Sequence, residues 1–275
     1  MILKTSPLLR AFGHLTERAR IVGPHGRYVV RRFSALILVR PQLSIAAVVL
    51  LPGMDGSGLL FADFAVALAP EIATIVVSYP TDAAIGYAEL EAIAREQLPV
   101  NGPYFLLGES FSGPIAVSIA ASSPEGLCGL ILSCSFVRNP RPFLGWLRPV
   151  VPFMPTRFPG ALSSWLLLGR FSSQPLRSAL GKALSLLSPR ALCARVAAVI
   201  GVDVTAELAR ICVPVLYLRA TEDRVIPPSA TAVVLRSLPA VAVVDLDGPH
   251  FLLQTAPVAS ARRVKEFVHH VVVGA

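Results

Sequence analysis

Tyr104-Phe105-Leu106-Leu107-Gly108-Glu109-Ser110-Phe111-Ser112-Gly113 decides how the rest of this 275-residue chain is read. An apolar strand runs into Gly-x-Ser and then, with almost no loop, into a helix of small residues from about Pro114. A serine at such a corner takes a strained backbone conformation, which the small neighbours Gly108, Ser112 and Gly113 permit, and its hydroxyl stands clear of the sheet. The following helix aims free N–H donors and the positive end of its dipole at the same place, which favours developing negative charge. The plainer reading is a capped helix start after a buried strand. Choosing between them depends on whether a base, an acid and further donors stand where Ser110 needs them.

Upstream, Ile45-Ala-Ala-Val-Val-Leu-Leu51 reads as a buried parallel strand, followed by the Gly-rich loop Pro52 to Gly58 and a helical pattern from Leu59 to Ala69. Such a loop can turn a backbone N–H toward the serine. By position this is the Met54 N–H, with the Phe111 N–H as second donor. Asp55 reads as an acceptor bracing the loop. Downstream, Val213 to Arg219 is another buried strand, and Glu222 and Asp223 come off its end. A carboxylate there can accept a histidine N–H and fix its tautomer. Asp223 is the acid chosen and Glu222 its competitor, while either could simply cap the helix starting near Pro228. The preceding strand, Leu130 to Phe136, has no carboxylate near its end. A last strand, Val241 to Leu246, leads to His250. Of the five histidines, His14 and His25 precede the serine, and His269 and His270 fall at the end of the closing helix. Only His250 stands on a loop after a strand and behind the acid, where a general base is required.

These four signals, in the order donor loop, serine, acid, histidine, resemble the α/β-hydrolase superfamily from about Ala35 to Val268. Leu51 to Gly58 with Gly108 to Gly113 looks like a group of bacterial hydrolases within it. Two positions depart from the common pattern: Ser112 stands where the elbow usually has glycine, and Pro52 where the donor loop usually has histidine. The resemblance implies an α/β-hydrolase fold, with a mostly parallel central sheet, helices on both faces and a helical cap insertion. It also implies a Ser110, His250, Asp223 triad, an oxyanion hole from Met54 and Phe111, an acyl-enzyme on Ser110, and no cofactor or metal. Cleavage of a carboxylic ester is the expected activity, with an apolar acyl ester or a thioester as the forms the insertion's composition suggests. Acyl transfer by the same triad is the alternative, and noncatalytic ligand binding the third class. Glu109 is expected to be a buried supporting group.

Length and alternation agree with one large α/β core. Helices are expected over Tyr87 to Leu98, Pro114 to Ala121, Pro228 to Leu238 and Val258 to Val271. Residues 1–137 and 203–275 form the two parts of the core, and 138–202 the insertion. Charge is uneven behind the net +8: residues 1–40 carry eight Lys/Arg and one acid, residues 41–137 one and nine, and residues 138–202 nine and none. The insertion also holds Phe143, Trp146, Phe153, Met154, Phe158 and Trp165 among arginines that include Arg157. Trp146, Phe153, Met154 and Trp165 are expected to line an apolar substrate pocket. The basic residues form either a solvated rim or a contact with anionic membrane. No motif for specific nucleic-acid recognition is present. The opening residues lack a secretory pattern, and no uncharged apolar run reaches about 20 residues, so a cytoplasmic protein is expected. Cys128, Cys134, Cys193 and Cys212 have no metal-ligand spacing and read as small buried hydrophobes.

Overall fold

The computed structural model describes residues 46–154, 156 and 160–274. Ile45, His14, His25, the other N-terminal basic residues, and Pro155, Arg157, Phe158 and Pro159 of the insertion lie outside the described residues. Six strands form one parallel sheet: β1 Ala47–Leu51, β2 Thr74–Val76, β3 Tyr104–Glu109, β4 Leu127–Ser133, β5 Val215–Glu222 and β6 Ala242–Pro249, in the order β2-β1-β3-β4-β5-β6. The central strands are apolar at successive positions because both faces are covered. Val49, Leu51, Leu106 and Leu132 pack with Leu90 of α2 (Tyr87–Glu96), Ile115 and Ile119 of α3 (Gly113–Ala121) and Val234 of the later helix Pro228–Ser237. Their alternates Val48, Leu50, Leu107 and Ile131 pack on the other face with Phe64 and Leu68 of α1 (Ala62–Leu68) and with Val264 and Val268 of the closing helix Pro257–Gly274.

The chain leaves β1 for β2 on one side and returns to β3 on the other. The loops after β1 and β3 therefore lead to helices on opposite faces, α1 on one and α3 on the other, and an open parallel sheet places its ligands at the carboxyl ends of strands at such a switch point. The Pro52 to Gly58 loop and the Ser110 corner are these two loops.

Strand ends differ from the sequence reading in instructive ways. β2 was not anticipated, because a three-residue edge strand is shorter than the runs that announce a buried one. β4 stops at Ser133, before the expected Phe136, as Cys134 takes a positive φ of 46° after a last N–H bond to Leu218 C=O of β5 at 3.0 Å. β5 and β6 run further than expected, and Glu222 and Pro249 are register partners. Asp223 and His250 are thus the next residues off two neighbouring strand ends. Among the cysteines only Cys134 is buried; Cys128 and Cys193 are half-buried, and Cys212 is exposed in the turn before β5.

Between β4 and β5 the chain forms a 3-10 segment over Pro142–Phe153, α4 Gly160–Leu167, a 3-10 turn Gly169–Phe171, α5 Gln174–Leu186, α6 Pro189–Gly201 and α7 Thr205–Leu208. Its entry and exit are side by side. Val204 N–H donates to Val137 C=O at 2.8 Å, Asn139 N–H to Val202 C=O at 3.0 Å, and Arg138 bridges to Asp203. After β5 come α8 Pro228–Ser237, α9 Leu252–Thr255 and α10 Pro257–Gly274. Among the described residues no single helix is long and apolar enough to cross a membrane.

Candidate active site

Ser110 follows β3 as the first residue of a 3-10 turn, Ser110–Ser112, that leads directly into α3. Its φ is +48°, a conformation costly for a non-glycine residue and held by what surrounds it. Ser135 Oγ donates to the Ser110 carbonyl at 2.6 Å, and a Cβ at Gly113 would collide with that same Ser135 hydroxyl. The corner therefore needs glycine at position 113 for close approach.

Ser110 Oγ lies 2.8 Å from His250 Nε2, and His250 Nδ1 lies 3.0 and 2.9 Å from the two oxygens of Asp223. The imidazole is buried. A carboxylate at Nδ1 requires the proton on that nitrogen, which leaves Nε2 as acceptor for the serine hydroxyl. Asp223 Oδ1 also accepts the N–H groups of Val225 and Ile226, both at 2.8 Å, so the carboxylate is fixed in orientation. Glu222 points elsewhere, pairing with Arg170 at 2.6 Å near the surface. Of the two adjacent acids, only Asp223 reaches the histidine.

Among the described residues, the N–H groups of Met54 and Phe111 have no protein acceptor. The loop bearing Met54 is braced from several sides. Asp55 Oδ2 accepts Ser57 N–H and Oγ–H at 2.9 and 2.5 Å, and Gly56 has a φ of +71° that glycine tolerates without strain. Ser112 Oγ donates to the Pro52 carbonyl and lies 3.2 Å from Tyr79 Oη. The two departures from the common hydrolase pattern, Ser112 and Pro52, thus meet in one hydrogen bond that ties the elbow to the donor loop.

Glu109 is buried beneath this loop and accepts from Gln254 Nε2 at 2.9 Å. Loss of hydration pushes its pKa up to about 7, and the neighbouring Asp55 adds to the rise. The Gln254 amide, His250 and the Gly53 N–H oppose it.

Among the described aromatic residues of the 138–202 segment, Phe143, Trp146, Phe153 and Trp165 face outward and Phe171 is half-buried. Phe143 is 69% exposed, Trp146 74%, Phe153 85% and Trp165 57%, while Met154 is half-buried. His269 and His270 are exposed. Sequence reasoning did not reach Tyr79, Ser135, Gln254 or Arg195, which support the site from distant parts of the chain. Arg195 left a visible signal, a lone charge inside the apolar run Ala191-Leu-Cys-Ala-Arg-Val-Ala-Ala-Val199.

Comparison with known proteins places this geometry in context. A search of curated proteins returned no significant match. In solved structures the fold recurs widely: a thermophilic esterase from Thermogutta terrifontis superposes with a TM-score of 0.71 at 20% identity, covering 83% of this chain and 91% of that one. The enol-lactonase of Burkholderia xenovorans LB400 gives 0.70 at 15% identity, covering 82% and 92%, and a bromoperoxidase from Bacillus anthracis 0.68 at 16%, covering 82% and 92%. At these identities the likeness establishes the fold alone. The profile described as Serine aminopeptidase, S33 matches residues 81–246, from ahead of the Ser110 corner into β6, and the chain belongs to that family of α/β hydrolases.

Proposed function

We propose that this protein is a serine hydrolase of carboxylic esters, thioesters included, acting through Ser110, His250 and Asp223. The observation that carries the reading is Ser110 Oγ at 2.8 Å from His250 Nε2, with Asp223 on the far nitrogen. His250 takes the hydroxyl proton as Ser110 Oγ bonds to the acyl carbon, and the carbonyl electrons move to an oxyanion received by the Met54 and Phe111 N–H groups. Collapse of the tetrahedral intermediate expels the alcohol or thiol, which leaves with the proton held by His250. Water then enters by the same steps in reverse, releasing the acid. Acyl transfer to an alcohol or amine would share every step except the last acceptor.

A fluorophosphonate probe tests this directly. Wild-type protein is expected to label at Ser110, with Ser110→Ala unlabelled, and to turn over members of an ester and thioester chain-length series. Aminoacyl anilides, the substrates suggested by the family's name, and added alcohols are run in parallel. A folded wild-type protein that neither labels nor hydrolyses any of them would sink the proposal.

We also propose that residues 138–202 act as a cap that meets anionic membrane. Support comes from the outward aromatic residues Phe143, Trp146 and Phe153 on one 3-10 segment, in a stretch without an acid whose Arg138, Arg148, Arg177, Lys182 and Arg190 are exposed. Each basic residue near an anionic surface contributes about 1 kcal/mol, and exposed tryptophan suits the headgroup level. Co-sedimentation with phosphatidylglycerol vesicles is expected at low salt and lost at high salt. The Trp146→Ser, Phe153→Ser pair should weaken it on the order of tenfold. Equal binding to neutral phosphatidylcholine vesicles would contradict the charge argument.

A further inference from the structure

Arg195, on α6, has one of the largest fully buried side chains in the molecule. No carboxylate pairs with it among the described residues; Asp55 acts only at longer range. A buried cation without a close counter-ion is costly, and the compensation here comes from backbone carbonyls. The guanidinium donates to Met54 C=O at 2.6 Å and to Pro80 C=O at 2.9 Å, while its Nε has no partner. Its centre lies 5.9 Å from the rings of both Tyr79 and Phe111. It also fills the space beside Gly56 so closely that a Cβ there would strike it.

These contacts converge on Met54 and Phe111, the two residues whose N–H groups have no acceptor among the described residues. Met54 is held through its carbonyl and Phe111 through its ring. Phe111 is further fixed by stacking on Tyr87 at 4.8 Å and by the Tyr87 hydroxyl on its carbonyl at 3.1 Å. We infer that Arg195 is a positioning residue for the oxyanion site, clamping the Met54 loop against Phe111 and placing a fixed positive charge behind the two donors. The inference rests on the proposed role of Met54 and Phe111. It makes α6, part of the segment between β4 and β5, a working part of the catalytic centre: the loop after β1 reaches its geometry only when α6 is docked.

The test compares Arg195→Met and Arg195→Lys with wild type, with kcat expressed per site titrated by the fluorophosphonate. An alkyl boronic acid, whose adduct with Ser110 presents a tetrahedral oxygen to the donors, reports on the oxyanion site itself. Arg195→Met is expected to lower kcat about 10²-fold and to weaken the boronate by a similar factor, with KM within about threefold. Arg195→Lys, which keeps the charge and one donor direction, should recover part of both. A merely structural role would lower the titratable fraction and leave kcat per site intact. Should the Met variant fail to fold, the Lys variant carries the test, with about a tenfold loss expected. Folded variants that keep wild-type kcat per site and boronate affinity overturn the inference. Inertness of the wild type would instead overturn the hydrolase reading on which it rests.

Discussion

Asp223→Asn is expected to leave the fold intact and to lower kcat by about 10⁴-fold, with little change in KM. The reason lies in the hydrogen bonds around the carboxylate. Val225 and Ile226 N–H both donate to Oδ1, so an asparagine must keep its carbonyl oxygen there. Its amide NH₂ then stands at the Oδ2 position, 2.9 Å from His250 Nδ1, and favours the acceptor form of that nitrogen over donation to the already twice-bonded oxygen 3.0 Å away. The ring proton moves to Nε2 and points at Ser110, so the base is lost although every heavy atom stays in place. Steady-state kinetics beside a thermal melt reads both halves of the expectation. Glu222→Gln serves as the control, since that acid holds Arg170 at the surface, where a pair contributes at most about 1 kcal/mol. A kcat for Asp223→Asn within about tenfold of wild type would remove Asp223 from the mechanism.

The second large effect concerns stability. Glu109 carries a pKa of about 7 in the folded protein against an ordinary 4.5. In that window the folded state holds a proton that the unfolded chain releases, so the contribution of Glu109 is most favourable below the lower value, declines as pH rises, and reaches its full cost above the upper one. The cost corresponds to about 3 kcal/mol. Glu109→Gln removes the titration. Its carboxamide oxygen can serve one existing donor and its NH₂ can turn to Gln254 Oε1, which lacks a partner in the described structure. Urea unfolding is expected to show the variant close to wild type near pH 5 and more stable by about 3 kcal/mol near pH 8. A difference independent of pH would mean that Glu109 is ionised throughout.

Much of the architecture was legible because strands buried on both faces leave apolar runs, and because each of Ser110, Asp223 and His250 follows such a run. The choice between Glu222 and Asp223 was not, since neighbouring residues off one strand point opposite ways and only the extent of β5 decides which. The outward turn of Trp146 and Phe153 was equally hidden: composition shows that a segment is aromatic, and packing decides where it faces. Least legible were contacts that skip most of the chain, such as Gln254 on Glu109 or Arg195 on Met54. No local period encodes them. The charge within α6 was visible, but its target was not.

The paired backbone at Val137, Asn139, Val202 and Val204 has a consequence for how such a protein diversifies. Because the chain departs and returns through adjacent peptide groups, everything between them is a module whose replacement leaves the sheet register untouched. Recombination at this doorway can exchange the whole segment for another in a single event. Such a graft is constrained from within, because an incoming module without an arginine placed like Arg195 leaves the loop after β1 without its internal strut. Whatever enters at this splice point therefore also decides how the loop after β1 is held.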